Sequence, residues 1–67
     1  MKCLFSENLK NFRLEKKISQ KKLAELLAVS QQCVSEWENG HNQPTLTSLL
    51  RLSEIFEISI DELVGKI

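Results

Sequence analysis

Apolar residues recur every three or four positions along most of the chain, which is the spacing of amphipathic α-helices. In the first segment Phe5, Leu9 and Phe12 share one face, and lysines surround it. This pattern predicts a first helix over about residues 5–17. Two further apolar stripes predict a second and a third helix. The second helix carries Leu23, Ala24 and Leu27, and the third carries Val34 and Trp37.

Residues that favour helix ends separate these segments, because Ser and Thr hydroxyls accept hydrogen bonds from the N–H groups of a first turn. The predicted N-caps are Ser19, Ser30, Thr45 and Ser59. The last is the best defined, since Ser59 and Glu62 have the spacing of a capping box. Ile58, just before it, is placed to pack on Leu63. Asn39-Gly40 is expected to close the third helix, because both residues tolerate left-handed backbone.

The fourth predicted helix follows Thr45 and carries the densest apolar pattern. Its periodic positions are Leu46, Leu49, Leu50, Ser53 and Phe56, with Leu52 and Ile55 beside them. Two glycines and one proline interrupt the chain, so the connections between helices should be short. We therefore expect residues 1–67 to form one compact, all-α domain of five helices. A core this small supplies about 3–5 kcal/mol of net stability, so a dimer contact would matter for folding.

Several classes of protein are disfavoured by features that the chain lacks. No apolar run approaches the roughly 18 residues that span a bilayer, and the first residues turn polar too soon for a signal peptide. We therefore expect a cytoplasmic protein with no membrane partner. Cys3 and Cys33 lie 30 residues apart, and His41 is the sole histidine. With no CxxC pair and one histidine, a structural metal is not expected, nor is another cofactor. A disulfide is disfavoured in a reducing compartment, so both thiols are expected to be free and partly buried.

The charge balance at first argues against nucleic acid. Nine basic residues match nine acidic ones, whereas nucleic-acid-binding domains usually carry a basic excess. The charges are divided along the chain, however. Residues 1–22 hold seven Lys or Arg and two Glu, a net +5, and residues 23–67 hold two basic and seven acidic residues, a net −5. The first helix and the start of the second are therefore suited to an anionic partner.

The third predicted helix opens with polar side chains suited to hydrogen bonding. Its outward face carries Gln31, Gln32, Ser35 and Glu36, opposite the apolar Val34 and Trp37. A glutamine amide holds a donor and an acceptor, so it can bond adenine N6 and N7 together in the major groove. Phosphate would favour the exposed N–H groups at the N-terminus of the same helix. On the glutamines alone, a solvated polar face is the simpler interpretation.

Taken together and in order, these segments resemble a known family. From about residue 4 to residue 64 the chain is similar to the helix-turn-helix regulators of the phage Cro and repressor type, the XRE family. The resemblance rests on SQKKLAELL at 19–27, VSQQCVS at 29–35, EWENG at 36–40, PTL at 44–46 and SIDEL at 59–63. It implies a lambda-repressor-like fold with the helix-turn-helix at about residues 20–38.

The resemblance also implies a function. Such proteins act as homodimers on double-stranded DNA, placing one recognition helix per subunit in successive major grooves of a pseudo-palindromic operator, and repressors are common among them. The implied base-reading residues are Gln31, Gln32, Ser35 and Glu36. The implied phosphate contacts are Gln20, Lys21, Asn39, His41, Asn42 and Gln43. A structural ion pair between Arg13 and Glu38 would fix the recognition helix without touching DNA.

The chain departs from the family pattern at several positions. Members often carry Lys or Arg at four positions that are not cationic here, namely Glu36, Asn39, His41 and Gln43. Glu36 would repel phosphate, although it could accept a bond from cytosine N4. These departures predict weak non-specific binding, with specificity left to uncharged hydrogen bonds. Ala28 stands where a glycine is common, and left-handed backbone there would cost on the order of 1 kcal/mol.

Two other functions compete with DNA binding. The acidic second half, with Leu52, Ile55 and Ile60 at its edge, suggests a protein-interaction module such as the antitoxin of a toxin–antitoxin pair. An enzyme is the least favoured class, because no nucleophile–base pair is evident. Trp37 is most simply a core residue and Cys33 an inert thiol. The lysines between positions 16 and 22 form either a phosphate-binding patch or a solvated face.

Overall fold

The computed structural model describes residues 4–65, most of which are helical. The helices are α1 (Phe5–Glu15), α2 (Gln20–Leu27), α3 (Gln31–Glu38), α4 (Leu46–Phe56) and α5 (Ile60–Val64). Residues 4–65 contain no strand, which confirms the all-α class. None of the helices described is long and apolar enough to cross a membrane. The free thiol predicted at Cys3 lies outside the described residues.

All four predicted N-caps are confirmed. Each hydroxyl accepts from the backbone N–H three residues later: Ser19 from Lys22 at 2.9 Å, Ser30 from Cys33 at 3.1 Å, Thr45 from Ser48 at 3.2 Å and Ser59 from Glu62 at 3.0 Å. The backbone N–H of Ser59 also donates to Glu62 Oε1 at 3.0 Å, which completes the capping box. Caps of this kind contribute about 1 kcal/mol each. Their hydrogen bonds are local, so short stretches of sequence specify them.

The core lies where α1, α2 and α3 meet, and α4 and α5 close it. Its buried apolar side chains are Phe5, Leu9, Leu23, Ala24, Leu27, Val34, Trp37, Leu52, Phe56 and Leu63. The Phe5 and Trp37 rings pack edge to face with their centroids 6.3 Å apart, a favourable aromatic geometry. Trp37 is therefore a core residue, as predicted. The stripes predicted for α2 and α3 are confirmed as well.

Helix α1 ends two residues before the predicted boundary. Its last helical residue is Glu15, Lys16 caps it, and Lys17 has a left-handed backbone with φ of 57°. The N–H of Ile18 donates to the carbonyl of Arg13 at 3.1 Å and so closes the helix end. This reversal lets Ile18 pack against the core, a tertiary contact that the helical period could not predict.

The face that α4 turns to the core differs from the prediction. Leu46 and Leu50 are 67% and 50% exposed, whereas Leu52 is completely buried and Phe56 nearly so. Leu52 is therefore not available at the edge for a partner, and that part of the prediction was wrong. The helical period is compatible with burial of either of two adjacent faces of α4, and Leu49 belongs to both. Packing against α2 and α5 selects the face that carries Leu52.

Ala28, in the turn between α2 and α3, has the left-handed backbone expected from its position, with φ of 59° and ψ of 41°. We expect Ala28→Gly to raise the free energy of unfolding by about 0.5–1 kcal/mol. Relief of about 1–2 kcal/mol of steric cost exceeds the extra backbone entropy of glycine in the unfolded chain. Urea unfolding followed by circular dichroism measures the change.

The matched control for this prediction is Ala24→Gly, because Ala24 lies in the interior of α2 and is buried. There the same substitution removes a core methyl and a helix-favouring residue, and it should cost about 1–2 kcal/mol. A loss of stability at both positions would contradict the proposed steric cost at Ala28.

Candidate nucleic-acid interface

Helix α3 is anchored along one side, and this leaves its polar side outward. Val34 is completely buried and Trp37 lies in the core. On the opposite side Gln31 and Gln32 are exposed, and Ser35 is half-buried. The structure thus brings the predicted base-reading side chains onto one surface. The Cys33 thiol, on the same helix, is free and packs partly against the core, as predicted.

The N-terminus of α3 opens onto this outward surface. Ser30 Oγ accepts the N–H of Cys33 at 3.1 Å. Within residues 4–65 the first two N–H groups of the helix, those of Gln31 and Gln32, have no protein partner. The helix dipole adds positive character at the same end, so the surface suits a polar or anionic ligand.

Glu36 links the outward face of α3 to the loop after it, a connection that was not predicted from the sequence. Gln32 Nε2 donates to Glu36 Oε2 at 3.3 Å, and Asn42 Nδ2 donates to Glu36 Oε1 at 2.8 Å. Asn39 Nδ2 donates to Ser35 Oγ at 3.4 Å. The i, i+4 spacing of Gln32 and Glu36 was a usable signal, whereas the bond from Asn42 depends on the path of the loop.

The residues expected to contact phosphate lie in two places. Gln20 and Lys21 begin α2, where Lys21 is exposed and Gln20 is half-buried. Asn39, His41, Asn42 and Gln43 follow α3, and all four are exposed. Gly40 turns this loop with φ of 76°, and the N–H of His41 donates to the carbonyl of Glu36 at 2.9 Å. The loop is therefore held against the end of α3.

Arg13 and Glu38 form the ion pair that the resemblance implies. Arg13 Nε lies 2.6 Å from Glu38 Oε2 and Nη2 lies 3.1 Å from Oε1, while Nη1 donates to the carbonyl of Ile18 at 2.9 Å. The exposed fractions of the two side chains are only 10% for Arg13 and 3% for Glu38. The pair therefore ties the end of α3 to α1 in a site that excludes most water.

Gln20 joins this pair in a way that the sequence did not suggest. Its Nε2 donates to Glu38 Oε1 at 3.0 Å, so the amide expected to clamp a phosphate is already held by a carboxylate. The second N–H of the amide and the amide oxygen stay available. One carboxylate thus fixes α1, the start of α2 and the end of α3 relative to one another.

Comparison with known proteins places these features in a family. The helix-turn-helix family model matches residues 9–63. The chain is 42% identical over 61 residues to the HTH-type transcriptional activator BcrR of Enterococcus faecalis, covering 91% of this chain and 30% of that protein. A crystal structure of a transcriptional regulator from Listeria innocua is 36% identical, with a TM-score of 0.95, over 100% of this chain and 63% of that one.

Two further solved structures are similar to the chain, one of a repressor bound to an operator and one of an enzyme. The P22 c2 repressor in complex with a synthetic operator is 31% identical, with a TM-score of 0.85, over 91% of this chain and 92% of that one. Hydroxypropylphosphonic acid epoxidase from S. wedmorenis is 37% identical, with a TM-score of 0.83, over 91% of this chain but only 32% of the enzyme. The chain spans between 30% and 56% of the length of the curated relatives that it matches.

Proposed function

Because the chain belongs to the XRE family of helix-turn-helix transcriptional regulators, we propose that it reads a specific, pseudo-palindromic operator in double-stranded DNA and acts as a repressor. One observation carries this proposal. Gln31 and Gln32 are exposed side by side at the start of a helix whose other side is buried. Two amides held on a rigid helix are suited to the donor and acceptor pattern of base edges in the major groove.

Contacts with the DNA backbone would come from the two segments on either side of α3. Lys21 and the remaining N–H of the Gln20 amide lie at the start of α2, and His41 and Gln43 lie in the loop after α3. Nitrogen donors of this kind position a protein on DNA without reading sequence. Because few of these side chains are cationic, the sequence-independent part of the affinity should be small.

A homodimer is part of the same proposal, because successive major grooves on one side of DNA are about 34–36 Å apart. The longest dimension of the described chain is 31 Å, and each copy presents one α3. Two copies related by a two-fold axis would present a recognition helix to each half of a palindromic site.

Selection from random duplex DNA tests the proposal, with sedimentation of the chain in parallel. We expect a palindrome to be enriched, with the logarithm of the affinity falling by about 0.9 per phosphate neutralised for each unit of log salt. Gln31→Ala should then cost about 1–3 kcal/mol and relax the preference at one base position.

Gln43→Ala is the matched control for that variant, because it also shortens an exposed glutamine but one assigned to phosphate. It should weaken binding to all sequences equally. If Gln31→Ala also weakens binding to all sequences equally, that residue does not read a base. If no duplex is enriched at low salt, the DNA-binding proposal is wrong.

A protein-binding module, such as an antitoxin, is the second candidate. It is favoured by the exposed side chains of Leu46 and Leu50, which lie one turn apart on α4. Co-purification of a stoichiometric partner, together with no shift of any duplex at low salt, would select this alternative.

A further inference from the structure

The side chain of Glu36, on the outward face of α3, reaches the loop after that helix, and each of its carboxylate oxygens accepts a hydrogen bond. Oε2 accepts from Gln32 and Oε1 accepts from Asn42, at 3.3 and 2.8 Å. The residue is half-buried, and no Lys or Arg of residues 4–65 forms an ion pair with it. Two neutral amides therefore set the orientation of this carboxylate.

The bond to Glu36 fixes the amide of Gln32. A carboxylate only accepts hydrogen bonds, so the amide nitrogen must face it, and the reversed amide would place two acceptor oxygens against each other. One of the two N–H groups is thereby used. Gln32 keeps one N–H and its carbonyl oxygen for any other partner. Gln31 has no side-chain partner within the described residues, so its amide is free to turn.

We propose that Glu36 is a positioning residue that makes Gln32 specific for adenine, an inference that rests on the proposed entry of α3 into the major groove. Adenine presents one acceptor, N7, and one donor, N6, which match the N–H and oxygen left to Gln32. Guanine presents two acceptors, N7 and O6, and would need both N–H groups of the amide. The donation to Glu36 removes one of them, so guanine is disfavoured.

The same carboxylate weakens binding to any sequence, because its charge would lie near phosphate. Loss of Glu36 should therefore have two effects of opposite sign. We expect Glu36→Ala to bind unselected duplex more tightly than the wild-type chain does. On the duplex that the wild-type chain selects, the variant should discriminate less between adenine and guanine at the position read by Gln32. The ratio of its affinities for the two bases should fall about tenfold.

Two controls separate positioning from charge. Asn42→Ala frees Glu36 Oε1 without changing any charge, so it should lower the adenine preference without the tighter binding to unselected duplex expected of Glu36→Ala. Loss of the phosphate contact expected from Asn42 would weaken binding to adenine and guanine duplexes alike. In the Gln32→Ala background, Glu36→Ala should leave the preference at the base position read by Gln32 unchanged, because the side chain that Glu36 positions is absent. Circular dichroism confirms that each variant is folded.

The wild-type chain provides a test that needs no variant. In the selected duplex, we expect replacement of the adenine by 7-deazaadenine, which lacks the N7 acceptor, to weaken binding several-fold. Replacement by purine, which lacks the N6 amino group, should have a similar effect. The positioning role is wrong if duplexes with either modified base bind as tightly as the adenine duplex, or if Glu36→Ala keeps the full adenine preference. Neither result would contradict DNA binding itself. If no duplex is selected at all, the proposed function itself fails.

Discussion

Glu38→Ala is expected to leave much of the chain unfolded at 25 °C. The Glu38 carboxylate accepts two hydrogen bonds from Arg13 and one from Gln20. Its removal leaves Arg13, whose side chain is only 10% exposed, without a counter-charge. Breaking a buried ion pair in this way costs about 3–5 kcal/mol. A domain of this size has only about 3–5 kcal/mol of net stability, so the loss is comparable to the whole.

Urea unfolding followed by circular dichroism measures this effect, and Glu25→Ala is the matched control. Glu25 is an exposed glutamate of α2, so its removal should change the free energy of unfolding by no more than about 0.5 kcal/mol. The double replacement of Arg13 by Met and Glu38 by Leu should recover most of the loss, because it removes both charges from the buried site. Equal stability of the Glu38 and Glu25 variants would contradict the role of the pair.

Leu52→Ala is expected to have the second largest effect, a loss of about 2–5 kcal/mol. Leu52 is completely buried among the side chains of the core, and alanine would leave a cavity that the surrounding helices fill only in part. A loss of this size would shift the urea midpoint far toward water or abolish the transition.

Leu50→Ala provides the comparison, since it is the same change two residues earlier on the same helix. Leu50 is 50% exposed, so we expect a change within about 0.5 kcal/mol at concentrations where the chain is monomeric. A larger loss for Leu50→Ala than for Leu52→Ala would mean that α4 packs through the other face. A loss for Leu50→Ala that appears only at high protein concentration would assign that residue to a dimer contact.

Local patterns predicted much of the fold and the location of the candidate site. Helix starts at Ser19, Ser30, Thr45 and Ser59 depend on hydrogen bonds that span three residues, so the sequence around each serine or threonine contains the whole interaction. The outward position of Gln31 and Gln32 follows from the buried Val34 and Trp37 on the same helix. The geometry of a single helix is sufficient to place the two pairs of side chains on opposite sides.

Contacts between distant segments could not be predicted in the same way. The donation from Gln20 to Glu38 joins residues 18 positions apart, and the bond from Asn42 to Glu36 depends on a loop turned by Gly40. Both contacts determine which donors and acceptors of an amide are left for DNA. Residue types predicted the candidate contact residues, but the hydrogen-bonding partners of Gln20 and Asn42 appear only in the folded chain.

The sequence by itself determined the all-α class, the number and order of the helices and the polar face of α3, because periodicity and capping act over a few residues. Tertiary structure alone decided which face of α4 is buried, since Leu46, Leu49 and Leu52 are equally apolar and only packing against α2 and α5 distinguishes them. It also decided that Glu36 holds the Asn42 amide and that Glu38 holds the Gln20 amide. A carboxylate bonds to the donors that the fold brings within reach, and sequence spacing does not contain that information.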